Sequence, residues 1–299
     1  MKRLITNLVI MIFLCTCSYS NNRVENLENK VERNGLVYIK GESTPFTGIL
    51  KSGEVEQEYR NGIRNGVFKG KILVDGSEYN YEGTFVEGIK HGKWIIKYLE
   101  GKNRAILEYN YDMPEGQWVY FYNNGKKEFS ETFKDGILEG TVVEYDPQGN
   151  VKKKLKYQNG LLEGEVVFFY DGNVLDILAH FNHGRLNGRV EIFSQENILQ
   201  LEGNYKNDKR ESLWKLYYKT GDLKVTVPYK KGLKHGKSVI YDKSGGIVQV
   251  NSYENNNEID ENGNILKRAE PFRDGIVERF KKFNNNLKSL KYNKALSEI

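Results

Sequence analysis

The stretch "YQNGLLEGEVVFFYDGN" (157–173) holds two glycines four apart, Gly160 and Gly164, with Tyr157 three residues before the first. The arrangement recurs along the chain, and an internal repeat decides the fold before any local signal does. With the second glycine of each pair as anchor, the series runs Gly66, Gly92, Gly116, Gly140, Gly164, Gly188, Ser212, Gly236, Asp260. The first interval is 26 residues and the next seven are 24 each. Asp112, Asp208 and Asn256 replace the first glycine, yet the frame survives. The leading aromatic never fails: Tyr59, Phe85, Tyr109, Phe133, Tyr157, Phe181, Tyr205, Tyr229 and Tyr253.

Two residues after the anchor stands a large apolar residue in most units, Phe68, Trp94, Trp118, Val142, Val166, Val190 or Trp214. A second turn follows seven residues later, at Gly101, Gly125, Gly149, Asn173, Asn197, Gly221 and Gly245. Asn-Gly and Asp-Gly pairs supply positive φ with little strain, as tight hairpins demand. Stretches between turns, such as "GQWVYFYNNG" and "KKEFSETF", space their apolar residues as strands do. Two short strands cannot bury an apolar face alone, so neighbouring hairpins bury it together. The expected fold is all-β, an elongated and twisted antiparallel hairpin ribbon. The composition agrees: 20 Tyr, 14 Phe and 30 Gly against 5 Pro argue for many short strands and against disorder.

The unit, as in "NGLLEGEVVFFYDGN" (159–173) and "FKDGILEGTVVEYDPQG" (133–149), resembles the MORN repeat, and more closely its bacterial variant. The early "PFTG" (45–48) and "GEVEQEYRNGIRNG" (53–66) are similar to the opening unit of MORN-variant proteins often labelled antitoxins. The resemblance covers about residues 35–275. It implies a β-hairpin ribbon that acts by binding, and through the antitoxin label it implies neutralisation of a partner protein.

Residues 1–20 have another character. Met1-Lys2-Arg3 gives a basic start, "LITNLVIMIFL" (4–14) is mainly apolar, and "CTCSYS" (15–20) is small and polar. This is the shape of an export signal, with an apolar run short for a membrane span. Two processing routes fit. A signal peptidase could cut after Ser20, or "LCTC" (14–17) could serve as a lipoprotein box with Cys17 lipidated. Cys15 and Cys17 are the chain's 2 cysteines, so the body has no disulfide and no thiolate chemistry. Residues 21–34, "NNRVENLENKVERN", read as a polar tether. At the other end, Ile276, Phe280, Phe283, Leu287 and Leu290 form one helical stripe within residues 276–299. That stripe suits a cap over the last hairpin or, with its lysines, contact with an anionic surface.

Catalytic chemistry is not evident. His91 and His235 occupy turn positions that Glu and Asn fill in other units. His180 and His183 are three apart on a strand, hence on opposite faces. "DENGNI" (260–265) lacks the glycine and the glutamate of a calcium loop. Glu115, Glu139 and Glu163 sit in equivalent places, whereas an acid–base pair needs two different environments. The charge of +5 comes from 45 basic and 40 acidic residues, interleaved so that no phosphate track forms. No catalytic residue, cofactor, metal or nucleic acid is therefore expected. The expected role is an exported, envelope-associated scaffold for a protein or a surface polymer, with an antitoxin-like or immunity-like role as the alternative. In "WVYFYNNG" the residues Trp118, Tyr120 and Tyr122 share one face, and they are the candidate contact surface. The leader gives a direct test. A palmitate analogue should label the protein, and Cys17→Ala should abolish the label, whereas an unmodified N-terminus at Asn21 would establish ordinary secretion.

Overall fold

The computed structural model describes residues 23–268, 274–281 and 295–297. From Gly48–Ser52 to Ile265–Lys267 each strand runs antiparallel to the next, in a single meandering sheet. Each repeat is one hairpin. Asn159 and Gly160, both at positive φ (51° and 75°), turn the chain between the paired residues Gln158 and Leu161. The same two-residue turn recurs at 135–136, 183–184 and 231–232. Tyr111-Asp112, Asn207-Asp208 and Asn255-Asn256 adopt it too, because Asp and Asn tolerate the left-handed region.

The anchor position does something else. Between the pairs Phe133↔Leu138 and Ser130↔Val143 the anchor strand carries two more residues than its neighbour. Gly140, at φ 86°, sits in this irregularity, with the Glu139 N–H donating to the Thr132 carbonyl at 2.8 Å. The anchor is thus a bulge, which bends the strand and increases its twist.

On the inner face the rings touch in succession. Phe46, Tyr59, Phe68, Phe85, Trp94, Tyr109, Trp118 and Phe133 follow one another with centroids 4.8–6.4 Å apart, mostly edge to face. Trp94 lies flat on Gly83 and Trp214 on Gly203, where a Cβ would stand 2.1 Å from the indole. In the middle units Val142, Val166 and Val190 take the place of the large ring. The sequence Tyr205, Trp214, Tyr229 then restores it, at 5.1 and 6.1 Å.

The helix Gly275–Lys281 lies over this ring-poor section, not over the last hairpin. Phe280 stacks on Phe168 at 5.4 Å and meets Phe181 edge-on at 5.1 Å. Val277, Phe280, Ala295 and Leu296 are buried in the same core cluster as the sheet's inner face. Small valines leave volume above the sheet, and the returning segment fills it. The rest of the stripe expected over 276–299 lies outside the described residues.

The stretch expected to be a tether is structured. Val24–Asn26 pairs in parallel with Gly48–Ser52, and Lys30–Arg33 forms a hairpin with Leu36–Ile39. Its polar residues hid this because the apolar groups it covers, Val37, Ile39 and Phe46, come later in the chain. Arg23 fixes the entry by pairing with Glu25 at 2.8 Å and with Glu42 at 2.5 Å.

Gly83→Ala and Gly203→Ala should each cost about 1–3 kcal/mol by overpacking against an indole. Gly53→Ala, with nothing within 4 Å of the added methyl, should retain the wild-type inner packing and near-ultraviolet circular dichroism. Urea denaturation and that spectrum measure both effects.

Candidate functional site

Trp118 and Tyr120 are fully buried, at 0% exposure, between the neighbouring rings. Tyr122 is half-buried, and its hydroxyl donates to the Tyr145 carbonyl of the next unit at 2.8 Å. These residues hold the fold and do not form an offered surface. Tyr109 and Phe133 flank Trp118, and Phe129 lies against Tyr120, contacts from neighbouring strands that alternation along one strand cannot reveal. Cys17 lies outside the described residues.

Tyr122 belongs to a series. Tyr98, Tyr170 and Tyr218 make the same bond to Phe121, Phe193 and Tyr241, at 2.8, 3.1 and 2.8 Å. Where the tyrosine is missing, Asp146 and Asp242 instead accept N–H bonds from their own turns. Asp260 does likewise with Asn262 and Asn264, so "DENG" is a turn. Among the described residues no group of three or more His, Cys, Asp or Glu side chains is placed to hold a metal ion.

The repeated glutamates stitch the opposite edge. Glu115, Glu139, Glu163 and Glu211 each accept the first N–H of the next unit's turn, from Asp135, Asn159, His183 and Lys231, at 2.7–2.9 Å. Where His91, Asn187 or His235 replaces the glutamate, the bond is reversed. Asp112, Asp208 and Asn256 in the next turn then accept from Lys90, Leu186 and Lys234, at 2.6–2.9 Å. The departures from the glycine pattern are thus matched to departures one unit earlier. His91 and His235 are turn-edge residues, as the sequence implied. His183 is a turn residue, and His180 places Nδ1 3.2 Å from the Arg189 carbonyl.

Three surface features remain. The first is a ridge. The residue after each first turn is half-exposed and apolar at Ile63, Met113, Ile137, Leu161 and Leu233, with exposures of 38–49%. Ile63, Met113, Ile137 and Leu161 each lean toward the next unit's turn glycine, where an added methyl would lie 3.3–3.7 Å away. The signal was legible as an apolar residue following the turn, but it is easily mistaken for filler.

The second is a cleft of about 430 Å³ at the only irregular interval of the frame. Here the strands Ile63–Val74 and Ser77–Val86 form an arm longer than the other hairpins. Lys69 and Lys97 share Glu82, at 3.6 and 4.0 Å, and Lys71 pairs with Glu78 at 2.9 Å. Tyr81 packs against Gly70 at its floor, and burial pushes its phenol up to about 12, so it stays protonated.

The third is the helix anchorage. Asp274 accepts from the Tyr205 hydroxyl at 2.7 Å and from Arg210 Nε at 2.8 Å, and Arg210 stacks 4.1 Å over Trp214. Burial pushes the Asp274 carboxyl up, but the bonds from Arg210 and Tyr205 outweigh it and hold the group below the usual carboxylate range.

The MORN repeat variant family matches residues 114–135, 138–159 and 210–231, three segments of the 24-residue frame. No curated protein matches the sequence. Among solved structures, alternansucrase in complex with isomaltononaose aligns at 13% identity and TM-score 0.19, over 79% of this chain and 16% of that one. Choline binding protein F from Streptococcus pneumoniae aligns at 12% identity and TM-score 0.21, over 80% of this chain and 98% of that one. Superposition at this level carries no argument about function.

The Asp274 anchorage has a pH signature. Its carboxyl is depressed in the folded chain, so its contribution is complete above the ordinary carboxylate pKa of about 3.9. It is lost as pH falls through the lower folded value. Protection of the amides of 275–281, taken relative to intrinsic exchange at each pH, should be high at pH 6 and fall below the ordinary carboxylate range, while Asp274→Asn should lower it already at pH 6.

Proposed function

We propose that the chain is an exported, envelope-associated scaffold that acts by binding and not by catalysis. The observation that carries this reading is the ridge. Five apolar side chains of similar exposure stand at equivalent positions of different hairpins. Successive hairpins lie about 10 Å apart, twice the spacing of neighbouring strands. Such a row meets an extended partner through several weak and equivalent contacts, and linked contacts multiply in affinity. Soluble chains seldom expose apolar area in ordered rows without a partner for it.

Export and lipidation at Cys17 would place the ribbon at a membrane surface, facing a protein or a surface polymer. The polar edges favour this role as well. Cross-strand pairs such as Lys215–Glu202 at 3.0 Å and Arg189–Glu202 at 2.8 Å neutralise the outer face locally, which leaves the apolar ridge as the distinguishing surface. A hydrolytic or transfer function would need a nucleophile beside a base, and the chemistry of the repeated side chains is spent on stitching the units.

Photo-crosslinkers introduced at 137 and 161 in the producing cell should capture one and the same species. A crosslinker at 154, on the outer face, should not. Ile137→Glu with Leu161→Glu should reduce capture from 113 at least tenfold while leaving thermal unfolding near that of the parent. Equal capture from all three single positions, or turnover of a substrate by the purified chain, would overturn the reading.

A further inference from the structure

The border of the sheet along the second turns carries apolar side chains that do not belong to the ridge. Phe168 turns inward, where it stacks on Phe280 of the helix. Phe169, the next residue, therefore points to the outer face. Tyr145 and Phe193 hold the same place in the units before and after, 24 residues away in each direction. Each ring stands opposite an aliphatic residue of its partner strand, in the pairs Tyr145↔Val151, Phe169↔Leu175 and Phe193↔Leu199. All six are half-buried, so ring and aliphatic side chain alternate across three consecutive hairpins.

The rings are held at a constant step. The Tyr145 carbonyl accepts from the Tyr122 hydroxyl and the Phe193 carbonyl from the Tyr170 hydroxyl, at 2.8 and 3.1 Å. With neighbouring strands about 4.7–4.9 Å apart, one ring follows the next at about 9.4–9.8 Å.

Beside Phe169 the row opens into a cleft of about 420 Å³, lined by Phe169, Tyr170, Asp171 and Gln195. Its walls are the second turn of one unit and that of the next. Among the described residues Asp171 takes part in no ion pair, and neither Asp171 nor Gln195 makes a side-chain hydrogen bond.

We propose that the row and its cleft receive a proline-rich segment in the polyproline II conformation, with a basic residue of that segment at Asp171. The step of the rings selects the conformation. A polyproline II helix has three residues per turn and rises about 3.1 Å per residue, so it presents one face every 9.3 Å or about that. An extended strand covers the same step in about three residues and would turn alternate contacts to opposite sides. An α-helix completes two turns in about 10.8 Å and loses about 1 Å of register at each ring. Aromatic-lined grooves are a general seat for proline-rich segments, whose backbone is ordered beforehand and makes no internal hydrogen bonds. Its free carbonyls need donors, and the Gln195 side-chain amide supplies one. The charge follows from the lining, which holds one carboxylate and no ammonium. A lysine or arginine of the segment pairs with Asp171, whereas a glutamate would meet like charge. Sheet twist turns each ring relative to the last, which limits a straight segment to a few rings. The row lies on the opposite border of the ribbon from the ridge, so failure of the crosslinks at 137 and 161 leaves it standing.

The test uses the full chain and a capped nonapeptide, Ala-Pro-Pro-Arg-Pro-Pro-Ala-Pro-Pro. Calorimetry measures affinity, and aromatic resonances of the labelled protein report the site. The peptide should shift the ring signals of Tyr145, Phe169 and Phe193. Inserting one glycine after the first and second triplets breaks the pitch and should weaken binding about tenfold. Replacing the arginine by glutamate should weaken it about tenfold as well, and Asp171→Asn in the protein should abolish that preference. Phe169→Ala with Phe193→Ala should lower affinity about tenfold, whereas Leu73→Ala, an exposed apolar residue away from the row, should not change it. Equal affinity for the glycine-interrupted peptide would overturn the proposal, and so would equal affinity for the glutamate peptide, two outcomes that need no altered protein. Absence of binding at millimolar peptide would also overturn it. So would cellohexaose shifting the same ring signals when the peptide does not, since a polysaccharide would then be the occupant.

Discussion

Contact between one inner-face ring and the next is the interaction on which the rest depends. An aromatic side chain buries roughly 150–250 Å², worth about 4–6 kcal/mol of gross transfer free energy at about 25 cal/mol per Å². An exposed cross-strand ion pair of the outer face contributes about 0.2–1 kcal/mol. The inner face therefore decides the register, and the outer face adjusts to it. Keeping each ring about 5–6 Å from its neighbour demands strands of uniform length and turns in constant phase. The glycine under Trp94 and the one under Trp214 exist for the same reason, because the indole lies against the backbone itself.

Once the rings set the pitch, the edges must hold it. Each first turn donates a main-chain bond to the preceding unit, as from the Gly160 N–H to the Leu138 carbonyl at 2.9 Å. A side-chain bond accompanies it, from a glutamate reaching forward or from an Asp or Asn reaching back. The second edge is held by tyrosine hydroxyls. Stability in such a chain is a sum over neighbouring units, since each hairpin contacts mainly the one before and the one after. The C-terminal helix is the exception. It joins Asp274 to Arg210, 64 residues earlier, and ties the section with small core residues to the section where the large rings resume.

Much of the architecture was legible because the turns require glycine, asparagine or aspartate, and those residues mark the frame in the sequence. Where the reading failed, the cause lay beyond one strand. Trp118 and Tyr120 looked available because alternation divides a strand into two faces without saying which face the rings of neighbouring strands cover. Residues 24–33 looked like a tether because their apolar partners follow them in the chain. The helix position depended on Val142, Val166 and Val190, whose small volume means little until the sheet is assembled. The ridge was visible as Ile63, Met113, Ile137, Leu161 and Leu233, but its exposure had to be seen.

The 26-residue interval shows how a repeat accommodates a departure. Two added residues, together with a second turn shortened from 98–102 in the next unit to 75–76 here, lengthen the strands Ile63–Val74 and Ser77–Val86 to 12 and 10 residues against 9 and 8 in Ile89–Lys97 and Asn103–Asn110, and they keep the alternation of faces intact. A single added residue would turn one strand's apolar set outward. The change is absorbed at the far end of the hairpin, around Asp75 and Gly76, so Phe85 and Trp94 still meet at 5.2 Å and the next unit begins in phase. The overhang is the necessary consequence, because the neighbouring strand ends before the lengthened one. A chain whose units are coupled only to neighbours can thus carry an open edge in one place without disturbing the rest. In this structure that edge lies beside a charged cleft and not at the end of the sheet.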